Sequence, residues 1–380
     1  MNIIIFIIIL LVLVLVHEFG HFFAAKRFGI RVDEFGFGFP PKLFSKKIGE
    51  TEYSFNLLPL GGFVKIFGES LEEADFVEVG FLEKDNANKV DLSRSFVHKA
   101  KWKQAIVLFA GIFSNFLLAW LLFSIGFMSG LPTSVSSDNL GFELTDINLV
   151  VTSVLVKSPA EAAGLKTGDK IVSVEHLHKT GISDVLKTIN PANLKDFVLD
   201  HPEEEIHIGY IRGKNPEINT AKVTVGDNKV EPFIGISMDE IGTAKLPLFP
   251  ALWQGLRLDW IMTQNTAIGL YTLISDAIGG NGSLDSVTGP VGMVGVVGDA
   301  YQFGFVYLLS FAALISINLA IINVLPFPAL DGGRLFFLLI EKIKGSPIKP
   351  KIANTANMVG FSVLILFMLL ITYHDVIKLF

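Results

Sequence analysis

The sequence predicts a multi-span α-helical membrane protein: four transmembrane helices, a membrane-associated β-hairpin and one extracytoplasmic α/β domain. Three observations carry that expectation. Of the 380 residues, 51% are hydrophobic and only 18% charged, too apolar for an ordinary soluble chain. Four stretches approach the roughly 20 apolar residues that cross a bilayer. Residues 131–245 change character, with short β-patterned runs between turn signals.

The first span runs from Ile3 to about Ala25. Its apolar run is long and no basic region precedes it, which separates it from a signal peptide. It belongs with the second span, about Ala105 to Met128, in an N-terminal membrane part, 1–130. Between them, Glu50 to Asn56 and Phe63 to Phe67 have strand character, and a hairpin joining them through Gly61 and Gly62 is expected. Its Phe and Leu content allows either a hairpin dipping into the bilayer, its backbone buried in protein or lining a cavity, or a small soluble hairpin. Residues 69–91 read as an acidic surface excursion.

The extracytoplasmic domain, 131–245, contains the runs Leu149 to Val156, Lys170 to Val174 and Ile206 to Ile211, with turns at Gly168-Asp169 and Arg212-Gly213-Lys214. Residues 246–300 form an interfacial region. Within it, 249–278 is an amphipathic helix with Trp253 and Trp260 suited to a membrane surface, and Gly289-Pro290-Val291-Gly292 interrupts the chain. The C-terminal membrane part, 301–380, holds span three, about Tyr307 to Val324, and span four, about Met358 to Tyr373.

Lys26, Arg27 and Arg31 follow span one, Lys99, Lys101 and Lys103 precede span two, and Arg334, Lys342 and Lys344 follow span three. Positive charge favours the cytoplasm. The expected chain is therefore a multi-pass protein of the cytoplasmic (inner) membrane, with both termini and the 131–245 domain outside. A net charge of -6 gives no reason to expect nucleic acid as a partner. With no cysteine, disulfides, thiol nucleophiles and thiolate-bound zinc are excluded, so any metal needs His, Asp or Glu.

The chemistry centres on His17-Glu18-Phe19-Gly20-His21, at the end of span one. On a helix, positions i and i+4 lie about 40° apart around the axis, so both imidazoles can reach one metal. Glu18 stands beside them to take a proton from an activated water. Ionisable side chains after sixteen nearly unbroken apolar residues are costly in a bilayer and mark function by default; the bland reading is a polar cluster packing the spans together. Two imidazoles leave a zinc site incomplete. Asp331 is the candidate third ligand, in Asn323-Val-Leu-Pro-Phe-Pro-Ala-Leu-Asp331-Gly332-Gly333, where Pro326 and Pro328 break the helix and the glycine pair frees the backbone. The competing reading makes Asp331 the cap of a helix starting at Gly332.

The two motifs together resemble those of the site-2 protease family of intramembrane metalloproteases. The Gly61-Gly62 segment, Ala110-Gly111-Ile-Phe-Ser-Asn115-Phe116 and Gly289-Pro290-Val291-Gly292 extend the resemblance over almost the whole chain. Ile112 stands where the family usually has proline. The resemblance implies zinc on His17, His21 and Asp331, Glu18 as general base, and Asn323 as a substrate-holding residue. It implies that Gly61, Gly62, Phe63 and Val64 receive the substrate as an added strand. Ser158-Pro-Ala-Glu-Ala-Ala-Gly164-Leu-Lys-Thr-Gly168-Asp169-Lys-Ile-Val-Ser-Val174 resembles a PDZ domain. The implied function is cleavage of single-span membrane substrates, such as anti-sigma factor-like proteins or remnant signal peptides, after an upstream protease has trimmed them. A catalytically inactive PDZ-bearing scaffold is the alternative.

Overall fold

A computed structural model describes residues 1–69, 91–135, 141–177, 183–213, 216–227, 232–280 and 287–378. Most of the expected acidic excursion, and Lys214 of one expected turn, lie outside these residues. The chain divides into two compact units. The first comprises Met1–Phe123, Leu252–Gly298 and Ser310–Phe380; the second comprises Ser124–Ala251 and Asp299–Leu309.

Among the described residues, four helices are long and apolar enough to cross a membrane: α1 (Asn2–Arg27), α2 (Lys101–Ser129), α7 (Phe305–Val324) and α9 (Pro350–Ile377). Each matches an expected span, lengthened at one or both ends. An uninterrupted helix is how such a run satisfies every backbone group without water. The intervening helices are α3 (Pro159–Ala162), α4 (Pro191–Asp200), α5 (Leu248–Ile278), α6 (Pro290–Phe303) and α8 (Asp331–Lys344).

Lipid is as apolar as leucine, so these helices hold together through close packing rather than hydrophobic burial. Gly20 of α1 lies so near the Ala110 carbonyl of α2 that a Cβ would overlap it, and Ser114 Oγ of α2 donates to the Val16 carbonyl at 2.8 Å. Ala119 and Phe123 of α2 pack on Ala313, Ile317 and Ile321 of α7, with Leu258, Met262 and Leu270 of α5 against them. Trp253 and Trp260 lie on the exposed side of α5. The Gly289–Gly292 interruption opens α6: Asp375, near the end of α9, accepts from Gly289 N at 3.1 Å and Gly292 N at 2.8 Å, holding the first turn.

The hairpin has a different pairing from the one expected. Strands β1 (Val32–Ile48) and β2 (Thr51–Ile66) are antiparallel, with Gly49 and Glu50 at the turn and Gly61 and Gly62 inside β2. Both strands double back, so Val32–Phe37 pairs with Gly62–Ile66 on one side and with Glu52–Phe55 on the other. The two segments read as neighbours are thus separated by a third. That third segment, Val32–Phe37, runs into Gly36-Phe-Gly-Phe-Pro-Pro41, a stretch rich in the two residues least suited to strands, which hid it. Gly36 is needed there because the Phe63 ring occupies the space a Cβ would take. Glu50 anchors the turn: Arg94 donates to it at 2.8 Å and Lys26 at 2.6 Å. The hydrogen bond from Arg94, supported by Lys26, holds the Glu50 carboxyl down at about 2.

The second unit is an antiparallel sheet in the order β3 (Leu131–Ser134), β9 (Ile236–Ala244), β4 (Thr145–Val154), β5 (Lys170–Leu177), β7 (Glu205–Ile211) and β8 (Ile218–Thr224), with β6 (Ser183–Val185) also on β5. The three expected runs are β4, β5 and β7. Val151, Val174, Ile206, Ile208 and Val223 form its core with Leu194 and Val198 of α4; full burial of such a side chain stabilises by about 1.5–3 kcal/mol. Asp169, fully buried, accepts two hydrogen bonds from Arg212 at 2.7 Å and one from Lys166 N at 2.8 Å. Ser158 caps α3 through Glu161 N.

Candidate metal centre

Helix α1 delivers His17 and His21 one turn apart on its buried face, with Glu18 half-buried beside them. Asp331 arrives from the far end of the chain. After α7 the chain turns through Pro326 and Pro328; Ala329 takes φ 75°, a left-handed conformation costing an alanine roughly 1–2 kcal/mol. Asn357 Oδ1 accepts from Ala329 N at 3.2 Å and holds that turn. Gly332 and Gly333 pass so close to the carbonyls of Val324, Leu325 and Phe327 that a Cβ on either would overlap them. The pair is there for close approach, not for unusual backbone angles.

Asp331 is the first residue of α8, and its neighbour Leu330 occupies the cap position without a side-chain cap bond. The carboxylate points to the imidazoles instead: Oδ2 lies 3.0 Å from His17 Nε2 and 3.1 Å from His21 Nε2. The two Nε2 atoms are 3.2 Å apart. Three ligand atoms so spaced suit one ion about 2.0–2.2 Å from each. The remaining ring nitrogens are fixed by α2. His21 Nδ1 donates to the Val107 carbonyl at 2.8 Å. The Asn115 amide nitrogen lies 3.3 Å from His17 Nδ1, while its buried oxygen has no hydrogen-bond partner among the described residues. Exchanging the amide's nitrogen and oxygen lets the oxygen accept from Nδ1–H, the tautomer that an Nε2 metal ligand needs. Gly111 leaves room for the His21 ring, which a Cβ would strike.

His17, Glu18, His21 and Asp331 line a cavity of about 190 Å³ with Phe63, Val64, Ile66, Glu69 and Arg334. Phe63 and Val64 are therefore brought to the site. Gly62 lies just behind it, where a Cβ would reach Glu18 Cγ. Gly61 does not line the cavity. Asn323, half-buried in the last turn of α7, does not line it either. Two charged lining residues went unrecognised in the sequence. Glu69, read as the start of a surface excursion, forms an ion pair with Arg334. Arg334 could have been found from its spacing, since it follows Asp331 by three residues on a helix and so shares its face.

An apolar helix ending in two imidazoles and a carboxylate, met by an aspartate just beyond the turn that follows a second membrane-length helix, is a donor set suited to a membrane metalloprotease. Comparison with known proteins agrees. The profile of Peptidase family M50 matches residues 5–367. The zinc metalloprotease RasP of Shouchella clausii is 30% identical, with 99% of this chain and 98% of that protein covered. Proteins of Clostridium perfringens (33%, covering 96% and 95%) and Fusobacterium nucleatum (32%, covering 100% of each) carry zinc metalloprotease in their names. This chain belongs to Peptidase family M50, the site-2 protease family, and is a zinc metalloprotease of the membrane.

Proposed function

We propose that the protein is an intramembrane endopeptidase whose zinc is held by His17, His21 and Asp331 and which cleaves single-span membrane proteins. The observation that carries this reading is the convergence of three ligand atoms within 3.2 Å at one end of a membrane-length helix. Bound zinc supplies a nucleophilic water at neutral pH and polarises the scissile carbonyl. The Glu18 carboxylate accepts a proton from the attacking water and returns it to the leaving amine. Asn115 and the Val107 carbonyl keep both imidazoles turned to the ion.

A transmembrane substrate hides its peptide bonds in helical hydrogen bonds and must unwind before hydrolysis. Gly62–Ile66 is paired with β1 on one side and lines the cavity at Phe63, Val64 and Ile66. It is suited to take an unwound segment as an extra strand, giving the freed backbone new partners. A second cavity, of about 1020 Å³, shares Phe63, Val64, Ile66, Glu69 and Arg334 with the first and offers room for the flanking chain. Exposed Phe39, Leu43, Phe44, Leu57 and Leu58 on the hairpin favour its dipping into lipid. Asn323, outside the cavity lining, fits a substrate-holding role only if it contacts the flanking chain. Val64→Pro removes a strand donor. Cleavage of a stable helical substrate falls at least tenfold more than cleavage of a pre-unwound peptide; equal losses on both would remove strand addition from the account.

The basic residues at the ends of the spans support a cytoplasmic-side active site in the inner membrane, with the sheet unit and both termini outside. In that position the sheet unit, as a PDZ-like domain, serves as a size filter, so that anti-sigma factor-like substrates or remnant signal peptides enter once another protease has trimmed them. Replacing residues 141–227 with a flexible linker then makes untrimmed substrates cleavable and leaves trimmed ones cut as before. Slower cutting of trimmed substrates would indicate recruitment by the domain instead.

A further inference from the structure

We propose that the sheet unit carries a second divalent-metal site, built from His176, His201, Glu204 and Asp184 and suited to zinc. Four elements converge there. His176 lies on β5, Asp184 on β6, His201 ends α4, and Glu204 precedes β7. The ligand atoms of His176, His201 and Glu204 lie within 4.8 Å of one another. Both imidazoles are buried, and their rings stand 4.7 Å apart.

The hydrogen bonds identify what the cluster wants. His176 Nδ1 lies 3.1 Å from the Glu205 carbonyl, and His201 Nδ1 lies 2.8 Å from the Phe197 carbonyl. A carbonyl only accepts, so each Nδ1 carries the proton. Each Nε2 faces a carboxylate: His176 Nε2 lies 3.2 Å from Glu204 Oε2, and His201 Nε2 lies 3.6 Å from Asp184 Oδ2. A neutral imidazole would turn its Nε2 lone pair on a carboxylate oxygen, which is repulsive. A positive charge therefore belongs between ring and carboxylate at both places. Two ring protons would set two cations side by side. One divalent ion serves both rings and both carboxylates.

A bond from Nδ1–H to a carbonyl is also how the ring of a metal-binding histidine is usually held in place. Zinc at 2.0–2.2 Å from its ligands needs ligand atoms roughly 3.4 Å apart. The Glu204 carboxylate is about half exposed and can rotate by the difference; Asp184 Oδ2, 3.6 Å from His201 Nε2 and outside the group of three, must swing further to complete the site. Two imidazoles and two carboxylates fill a tetrahedral shell, leaving no open position, so this site is structural. It would clasp the end of α4 to the β5–β6 corner.

The test uses the full chain without a histidine tag, equilibrated with micromolar zinc and then passed into metal-free buffer. His17, His21 and Asp331 are replaced by alanine to remove the first centre. One zinc per chain remains in that protein, and cobalt in its place gives visible ligand-field bands. Adding Glu204→Gln with Asp184→Asn, whose side chains are exposed enough to spare folding, removes both signals, as does His176→Gln with His201→Gln. A zinc-free protein without the first centre, or bands unchanged by either pair of substitutions, would overturn the proposal. The wild-type zinc content reports separately on the first centre.

Discussion

Glu18→Gln abolishes cleavage while the metal stays. The substitution keeps the side chain's size and changes only its ability to hold a proton. His17, His21 and Asp331 keep their mutual distances of 3.0–3.2 Å, since none of these contacts involves Glu18. Loss of a general base in hydrolysis costs about 10²–10⁴ in rate. In the proposed mechanism the same group also protonates the leaving amine, so a loss of about 10³ or more is expected. Zinc per chain, measured on protein purified alongside wild type, should be unchanged. Zinc loss in this variant would make Glu18 a ligand and displace the assignment of roles.

Asp331→Ala has a comparably large effect for the opposite reason. Its Oδ2 is the single atom that meets both imidazoles, and it comes from 310 residues further along the chain than His21. Outer-shell partners alone are worth about 10–100-fold in metal affinity, and removing a direct ligand should exceed that. The zinc content falls by one per chain and cleavage drops to background. Helix α8 survives, because Asp331 makes no cap bond. Full zinc occupancy in this variant would return Asp331 to the helix-capping reading.

The spans were readable because a bilayer demands about 20 apolar residues and a helical backbone, and little else in a sequence imitates that. His17, Glu18 and His21 were readable because i, i+4 spacing fixes one face whatever the tertiary structure. Asp331 needed its motif, since nothing local says that a proline-broken turn folds back onto α1. The hairpin was misread in its pairing: Phe37 between Gly62 and Phe55 is a tertiary fact, and the glycines and prolines around it disguise a strand. Glu69 and Arg334 show the same limit, as an ion pair across 265 residues has no local signal. The glycine pair after Asp331 was noticed for the wrong cause. The second histidine cluster was missed because its members are spread over β5, β6, the end of α4 and the approach to β7, with no fixed spacing.

The most direct measurement is the position of the cut. The purified protein is reconstituted in liposomes with a single-span substrate trimmed on its outer side, and the products are read by mass spectrometry. The account predicts new termini inside the substrate's apolar segment, abolished by Glu18→Gln and by zinc chelation, and restored by zinc after chelation. Termini confined to the soluble flanks, or unchanged in Glu18→Gln, would contradict it.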